Sequence, residues 1–180
     1  MTGSRQNGGM SGEVRLSQPS ADDADEFIAA ARASAVLQHP WVSPPDTPER
    51  YAAFAGRAAR EDQHSYLIRH DECGELVGYV NINNIVRGAL RSGYLGYAAF
   101  ASHSGRGLMT AGMRAVIGDA FATLGLHRLE ANIQPQNTRS LGLVQRLGFR
   151  REGFSPRYLM IDGEWRDHER WAVLAEDWPG

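Results

Sequence analysis

The stretch from Gly93 to Gly125 constrains the fold of this chain more than any other. Gly93 to Phe100 reads as a strand, and Ser102-His103-Ser104-Gly105-Arg106-Gly107 follows as a small, flexible link. Met109, Met113, Val116, Ile117, Ala120, Phe121 and Leu124 then recur at helical spacing until Gly125 closes the run. A strand that passes through a glycine-rich loop into a helix leaves N–H groups without partners at the helix start, beside the positive end of the helix dipole. Glycine at 105 and 107 lets the backbone approach a ligand closely. The arrangement suits a pyrophosphate, although a lone Gly-x-Gly is more often just a strand-to-helix turn.

Two common pyrophosphate binders do not fit. A dinucleotide fold asks for G-x-G-x-x-G and an acidic ribose partner about 20 residues on, but Thr110 stands at the third glycine position. A triphosphate loop asks for Gly-Lys-Ser/Thr, and all 19 cationic residues here are arginine. The lack of lysine also disfavours Schiff-base chemistry of the pyridoxal kind. Cys73 is the single cysteine, so an intrachain disulfide is ruled out, and no Cys/His pattern has zinc spacing. No metal is expected. A formal charge of −2 argues against direct nucleic-acid binding, which draws on a net basic surface. No apolar run of about 18 residues is present to cross a bilayer, and residues 1–12 lack the apolar stretch of a signal peptide. A cytoplasmic protein without membrane contact is the expectation, as a monomer or homodimer.

Residues 1–12, rich in Gly, Ser, Asn and Gln, read as a flexible tail, and residues 13–178 as one domain. Glu13 to Ser17 alternates as a short strand. Ser20 with Asp23 forms a capping-box-like start for a helix bearing Phe27, Ile28 and Ala31, and Thr47-Pro48 starts a second bearing Tyr51, Phe54, Ala55 and Ala58. Ser65 to Arg69 and Leu76 to Val86 read as strands around an Asp71-Glu72-Cys73-Gly74 turn. His127 to Gln134 supplies another strand and Asn137 to Leu147 another helix, stopped by Gly148-Phe149. Phe154 to Ile161 and Trp165 to Leu174 form a last hairpin about Asp162-Gly163.

These elements carry an ordered series of motifs. They are Leu76-Val77-Gly78, Leu95-Gly96-Tyr97, Gly105-Arg106-Gly107-Leu108-Met109, His127-Arg128-Leu129-Glu130-Ala131-Asn132, Pro135-Gln136-Asn137-Thr138-Arg139-Ser140, Leu147-Gly148-Phe149, and Asp162-Gly163-Glu164-Trp165-Arg166-Asp167-His168. In this order the chain resembles the GNAT superfamily of N-acetyltransferases, and within it the ribosomal-protein N-terminal acetyltransferases of the RimJ/RimL type. The resemblance implies an α/β (α+β) GNAT fold with a mixed central sheet of about seven strands, splayed between strands 4 and 5 and flanked by about four helices. It implies acetyl-CoA as cosubstrate, its pantetheine arm entering the splay like an extra strand and pairing with free backbone groups.

Carried onto this sequence, the resemblance assigns the pantetheine to Tyr97, Ala98, Ala99 and Phe100. It assigns the pyrophosphate to Gly105, Arg106, Gly107, Leu108 and Met109. The family's loop usually reads Gln/Arg-x-x-Gly-x-Gly/Ala; Ser104 and Met109 stand at its ends here, so the contacts expected are those of backbone N–H groups. Asn137 resembles a cofactor-contacting asparagine and Ser140 the group that hands a proton to the leaving thiolate. Taken alone, the two read as an N-cap and a polar first-turn residue. Val144 occupies the place where many relatives in the wider superfamily put a tyrosine. Glu130 is the leading candidate base, on the fifth strand and on the same face as Asn132, against the plainer role of ion-pair partner; Asp167 and His168 are further candidates. Trp41, Tyr158 and His168 are the acceptor-binding candidates. Arg139, Arg146, Arg150, Arg151 and Arg157 make the C-terminal half locally basic, one of them facing the 3′-phosphate of CoA. The reaction implied is direct attack of a primary amine on the thioester in a ternary complex. The protein N-terminus, of a ribosomal protein above all, is the first acceptor; a polyamine, an antibiotic or a non-catalytic CoA sensor are the alternatives.

Overall fold

The computed structural model describes residues 14–180; the tail expected at 1–12 lies outside them, as does Glu13. Seven strands form one sheet: β1 (Val14–Ser17), β2 (His64–His70), β3 (Leu76–Val86), β4 (Ser92–Ala99), β5 (Arg128–Ile133), β6 (Arg150–Ile161) and β7 (Glu164–Leu174). Their spatial order is β1-β2-β3-β4-β5-β7-β6, antiparallel throughout except for the parallel pair β4 and β5. Among the described residues five α-helices accompany them: α1 (Ala24–Ala33), α2 (Ala35–Gln38), α3 (Pro48–Gly56), α4 (Leu108–Ala122) and α5 (Thr138–Arg146). The mixed, splayed α/β architecture implied by the motifs is the one observed. No helix among the described residues is long and apolar enough to cross a membrane.

Strand alternation sends neighbouring side chains to opposite faces, and each face has its own core. Tyr66 and Ile68 of β2 join Val80, Ile82, Leu129, Met113, Ile117 and Val144 beneath α4 and α5. Leu67 joins Phe27, Tyr51, Phe54, Tyr79 and Phe100 beneath α1 and α3. Phe27 stands at the centre of this second core, with the rings of Tyr51, Phe54, Tyr79 and Phe100 at 5.1 to 5.4 Å. Helices on both faces leave the sheet covered up to β5, and the β6–β7 hairpin extends beyond them with Phe154, Leu159, Met160 and Trp165 exposed.

Local chemistry sets the boundaries. Asp23 accepts from both the backbone N–H and the hydroxyl of Ser20, each at 2.8 Å, and α1 follows one 3-10 turn later. The Thr47 hydroxyl accepts from the Arg50 N–H ahead of Pro48. Gly148 takes φ +79° while the Phe149 N–H reaches the Val144 carbonyl at 3.0 Å, the glycine stop expected after α5. Asp162 and Gly163, at φ +49° and +81°, make the turn between β6 and β7. β6 begins at Arg150 rather than Phe154, because its first residues face solvent on both sides and show no alternation. α1 stops at Ser34, whose N–H and hydroxyl both return to the Ala30 carbonyl, and α2 follows as a separate single turn before His39-Pro40.

Candidate functional site

Pairing between β4 and β5 runs from Ser92 with Arg128 to Leu95 with Ala131 and stops there. β4 nevertheless continues beside β3 to Ala99, and β5 beside β7 to Ile133. The two strands therefore part after Leu95 while each keeps its outer neighbour. The Phe100 N–H donates to the Val77 carbonyl at 2.8 Å, so with a two-residue repeat Phe100, Ala98 and Gly96 direct their polar backbone groups to β3. Tyr97 and Ala99 direct theirs into the gap. The Ala99 carbonyl is met there by the Gln38 side-chain amide at 3.0 Å.

A cleft of about 1300 Å³ follows this gap, lined by Tyr97, Ala98 and Ala99 on one wall and by Asn132, Ile133, Gln134 and the start of α5 on the other. At one end lies the glycine loop. Gly105 and Gly107 have φ +79° and +82°, and a Cβ placed on either would meet no protein atom within 4 Å. Among the described residues the N–H groups of residues 105 through 109 donate to no protein acceptor; the first helical bonds of α4 come from Thr110 and Ala111 to the Gly107 carbonyl. Open space beside left-handed glycines and a row of free donors fits an anionic ligand.

The expected loop residues divide. Ser104, Gly105, Gly107 and Met109 line the cleft, whereas the Leu108 side chain is core and Arg106 turns away, its guanidinium 3.1 Å from His103 Nδ1. Phe100 also points into the aromatic core. Asn137 caps α5, its Oδ1 accepting from the Ser140 N–H at 3.2 Å, and both residues line the cleft. The Ser140 hydroxyl lies 2.6 Å from the Tyr97 hydroxyl across the splay. Burial pushes the Tyr97 phenol up to about 12, with the Ser140 hydrogen bond opposing, so it stays protonated at neutral pH. Val144 is fully buried in the core; the phenol near Ser140 comes instead from β4.

Glu130 does not line the cleft. Its carboxylate accepts from Arg128 Nε at 2.9 Å, and Arg128 in turn grips Glu152 of β6. The Asp167 carboxylate is also engaged, accepting at 2.7 Å from the N–H of Arg157, which sits at φ +48° in the irregular part of β6. Beside that irregularity Tyr158 lies 6.0 Å, ring to ring, from His168. His168 is 3 % exposed and lines the cleft with Trp41 and Tyr158. The His168 Nδ1 lies 2.9 Å from the Arg166 carbonyl, which only accepts, so Nδ1 carries the proton and Nε2 keeps its lone pair. Burial lowers the His168 pKa, partly offset by that hydrogen bond and by Asp167.

Of the basic group, Arg139 and Arg146 line the cleft, while Arg150 and Arg151 pair with Asp177 and Glu169. Among the described residues no Asp or Glu lines it. Gln38, 4 % exposed with Oε1 unpartnered, and Gln134, 7 % exposed, are buried polar walls that sequence reasoning passed over. Nothing local marks Gln38, since its partner at Ala99 is 61 positions away.

Residues 13–150 match the acetyltransferase (GNAT) domain family. The chain is 44 % identical over 107 residues to the [ribosomal protein uS5]-alanine N-acetyltransferase of Escherichia coli, an alignment covering 59 % of this chain and 55 % of that enzyme, so it spans about half of that relative's length. It is 32 % identical over 133 residues to the L-methionine sulfoximine/L-methionine sulfone acetyltransferase of Pseudomonas paraeruginosa, covering 69 % of this chain and 72 % of that one. Among solved structures, Mycobacterium smegmatis RimJ in complex with CoA-disulfide superimposes with a TM-score of 0.84 and 32 % identity, over 93 % of this chain and 84 % of that chain.

Proposed function

The chain belongs to the acetyltransferase (GNAT) family, and from that premise we propose that it moves the acetyl group of acetyl-CoA to a primary amine by direct attack in a ternary complex. The observation that carries this reading is the opening between β4 and β5, where Tyr97 and Ala99 offer backbone groups beside the free N–H row of residues 105–109. The pantetheine arm pairs with Tyr97 and Ala99 as an added strand. The pyrophosphate sits on the loop N–H groups, and Arg139 and Arg146 supply charge to the phosphates. Arg106 reaches none of them in the arrangement described.

The acceptor enters beside Trp41, Tyr158 and His168. Its nitrogen lone pair attacks the thioester carbon, the N–C bond forms, and the C–S bond breaks with its electron pair going to sulfur. The proton lost by the amine passes to His168 Nε2, a lone pair held in place by the Nδ1 contact to Arg166. The Ser140 hydroxyl, oriented by Tyr97, donates a hydrogen bond to the thiolate as it leaves, and the sulfur then takes its proton from solvent. Glu130 is not given the base's role, because its carboxylate holds Arg128 outside the cleft.

The acceptor is the N-terminal amine of a protein, with an N-terminal alanine of a ribosomal protein as first candidate. Similarity to the uS5-alanine enzyme supports it. So does the lining of the cleft, where the described residues include no carboxylate to neutralise a polyamine, whereas an α-amine of pKa about 7.7–8.0 arrives partly neutral. A small amino-acid amine is the second reading, favoured by the similarity to the methionine sulfone enzyme. Thiol release from acetyl-CoA with alanine-terminated peptides, methionine sulfone and spermidine tests the choice. Turnover of the peptides with spermidine at background supports the first reading; turnover of methionine sulfone above every peptide replaces it with the second. Spermidine as the best acceptor sinks both, and tight CoA binding without any turnover sinks the enzymatic reading.

A further inference from the structure

Beside the glycine loop, at the turn between β2 and β3, the side chains of Cys73, Glu75 and His103 converge, with one ligating atom of each within 4.8 Å of the others. Cys73 and Glu75 are exposed, while the His103 side chain is 4 % exposed and held from two sides. His70 stacks on its ring at 5.6 Å and 16°. Glu75 lies 2.9 Å from His103 Nε2 and Arg106 lies 3.1 Å from His103 Nδ1. A carboxylate only accepts and a guanidinium only donates, so the His103 proton is on Nε2 and the lone pair on Nδ1.

We propose that Cys73 Sγ, Glu75 Oε2 and His103 Nε2 bind a divalent metal of the zinc class, and that its binding releases Arg106 from His103 towards the donor loop. Thiolate, imidazole and carboxylate are the three ligand types zinc takes, water completing the tetrahedron. Spacing along the chain hides the set, since His103 lies 28 positions from Glu75 and Cys73 and Glu75 are separated by one residue. The proton balance makes the coupling. A metal at Nε2 displaces the proton there, which reappears at Nδ1, and the Cys73 thiol loses its own proton to solvent. One proton is released per metal bound. With Nδ1 now a donor, two N–H groups face each other and the Arg106 contact is lost; Arg106 stands between Gly105 and Gly107 and is freed to meet an anion on the loop. This second part rests on the acetyl-CoA reading above.

Titration of the intact protein with Co2+, and with Zn2+ in competition, tests the site directly. One equivalent is expected, with thiolate-to-cobalt charge-transfer absorption and release of one proton. Cys73→Ser abolishes the absorption and Glu75→Gln weakens binding on the order of tenfold or more, while a His127→Gln control, altering a surface His127–Glu176 pair, leaves both unchanged. No stoichiometric binding, or binding that survives Cys73→Ser, overturns the site and leaves an adventitious ion only. With Zn2+ bound, CoA affinity is expected to rise about two- to fivefold, the scale of one exposed guanidinium–anion contact, and Arg106→Ala removes the rise. An unchanged affinity in the wild-type protein overturns the coupling. Absence of CoA binding with or without metal counts instead against the acetyl-CoA reading, since the cobalt absorption needs no CoA.

Discussion

Replacing Ser140 by alanine separates chemistry from binding. In the proposed reaction its hydroxyl meets a sulfur that becomes charged only as the C–S bond breaks, so the hydrogen bond strengthens in the transition state and contributes little to acetyl-CoA affinity. A hydrogen bond to a charged group is worth about 1.5–3 kcal/mol. At about 1.36 kcal/mol per factor of ten, Ser140→Ala lowers kcat roughly 10- to 150-fold. Tyr97 acts through Ser140, at 2.6 Å; losing that neutral contact costs about 0.5–1.5 kcal/mol, or roughly 2- to 12-fold in Tyr97→Phe. Because the phenol is pushed up to about 12, its contribution stays constant across neutral pH. The double variant is expected to match Ser140→Ala alone, since Tyr97 has nothing left to orient. Single-turnover thiol release at saturating acceptor reads the chemical step without product release. Thermal unfolding provides the control, Ser140→Ala falling further than Tyr97→Phe because it leaves a half-buried phenol without its partner. A kcat for Ser140→Ala within twofold of wild type, or full additivity in the double variant, would refute the reasoning.

Other substitutions probe the scaffold. Gly107→Val forces a β-branched residue to φ +82° and fills space no protein atom occupies; about 1–2 kcal/mol of stability is lost and CoA affinity, measured by calorimetry, falls at least about tenfold if the phosphates use that space. In Gly112→Ala the new Cβ lies 2.5 Å from the Ile68 side chain, which is wholly buried, so α4 is pushed from β2 and chemical denaturation records a loss of about 1–3 kcal/mol with no acceptor-specific effect. Burial lowers the pKa of both His64 and His168 below the ordinary 6.5. Their unfolded forms then bind protons first, so the stability they contribute is complete above pH 6.5 and declines as pH falls towards the lowered folded values. Melting curves of wild type and the His64→Gln/His168→Gln variant between pH 7.5 and 5.5 check this; an equally steep decline in both would contradict it.

The parts of the molecule that were legible in the sequence are those specified locally. Gly105 and Gly107, the Gly148 stop and the Asp162-Gly163 turn all need left-handed backbone, and all adopt it. The helical period from Met109 to Leu124 buries Met113, Val116, Ile117 and Ala120. What escaped depends on residues far apart in the chain. For Glu130 the sequence leaves base and ion-pair partner both open, because Glu152, which shares Arg128 with it, arrives two strands away in the sheet. Tyr97 read as a pantetheine-facing residue, yet its hydroxyl meets Ser140 only because β4 and β5 part. Arg106 sits in an exposed part of the loop and still turns away, since His103 presents an acceptor and Glu75 fixes its tautomer. Alternation showed which face of β4 is core, but which backbone groups of β4 lack partners depends on where pairing with β5 ends.

Amide hydrogen exchange followed residue by residue along β4, with and without CoA, bears most directly on the donor slot. Slowed exchange at Tyr97 and Ala99, with Ala98 and Phe100 unchanged because their N–H groups already face β3, is the expected result. Protection that falls on Ala98 and Phe100 instead, or no change at Tyr97 and Ala99 when CoA is bound, would contradict it.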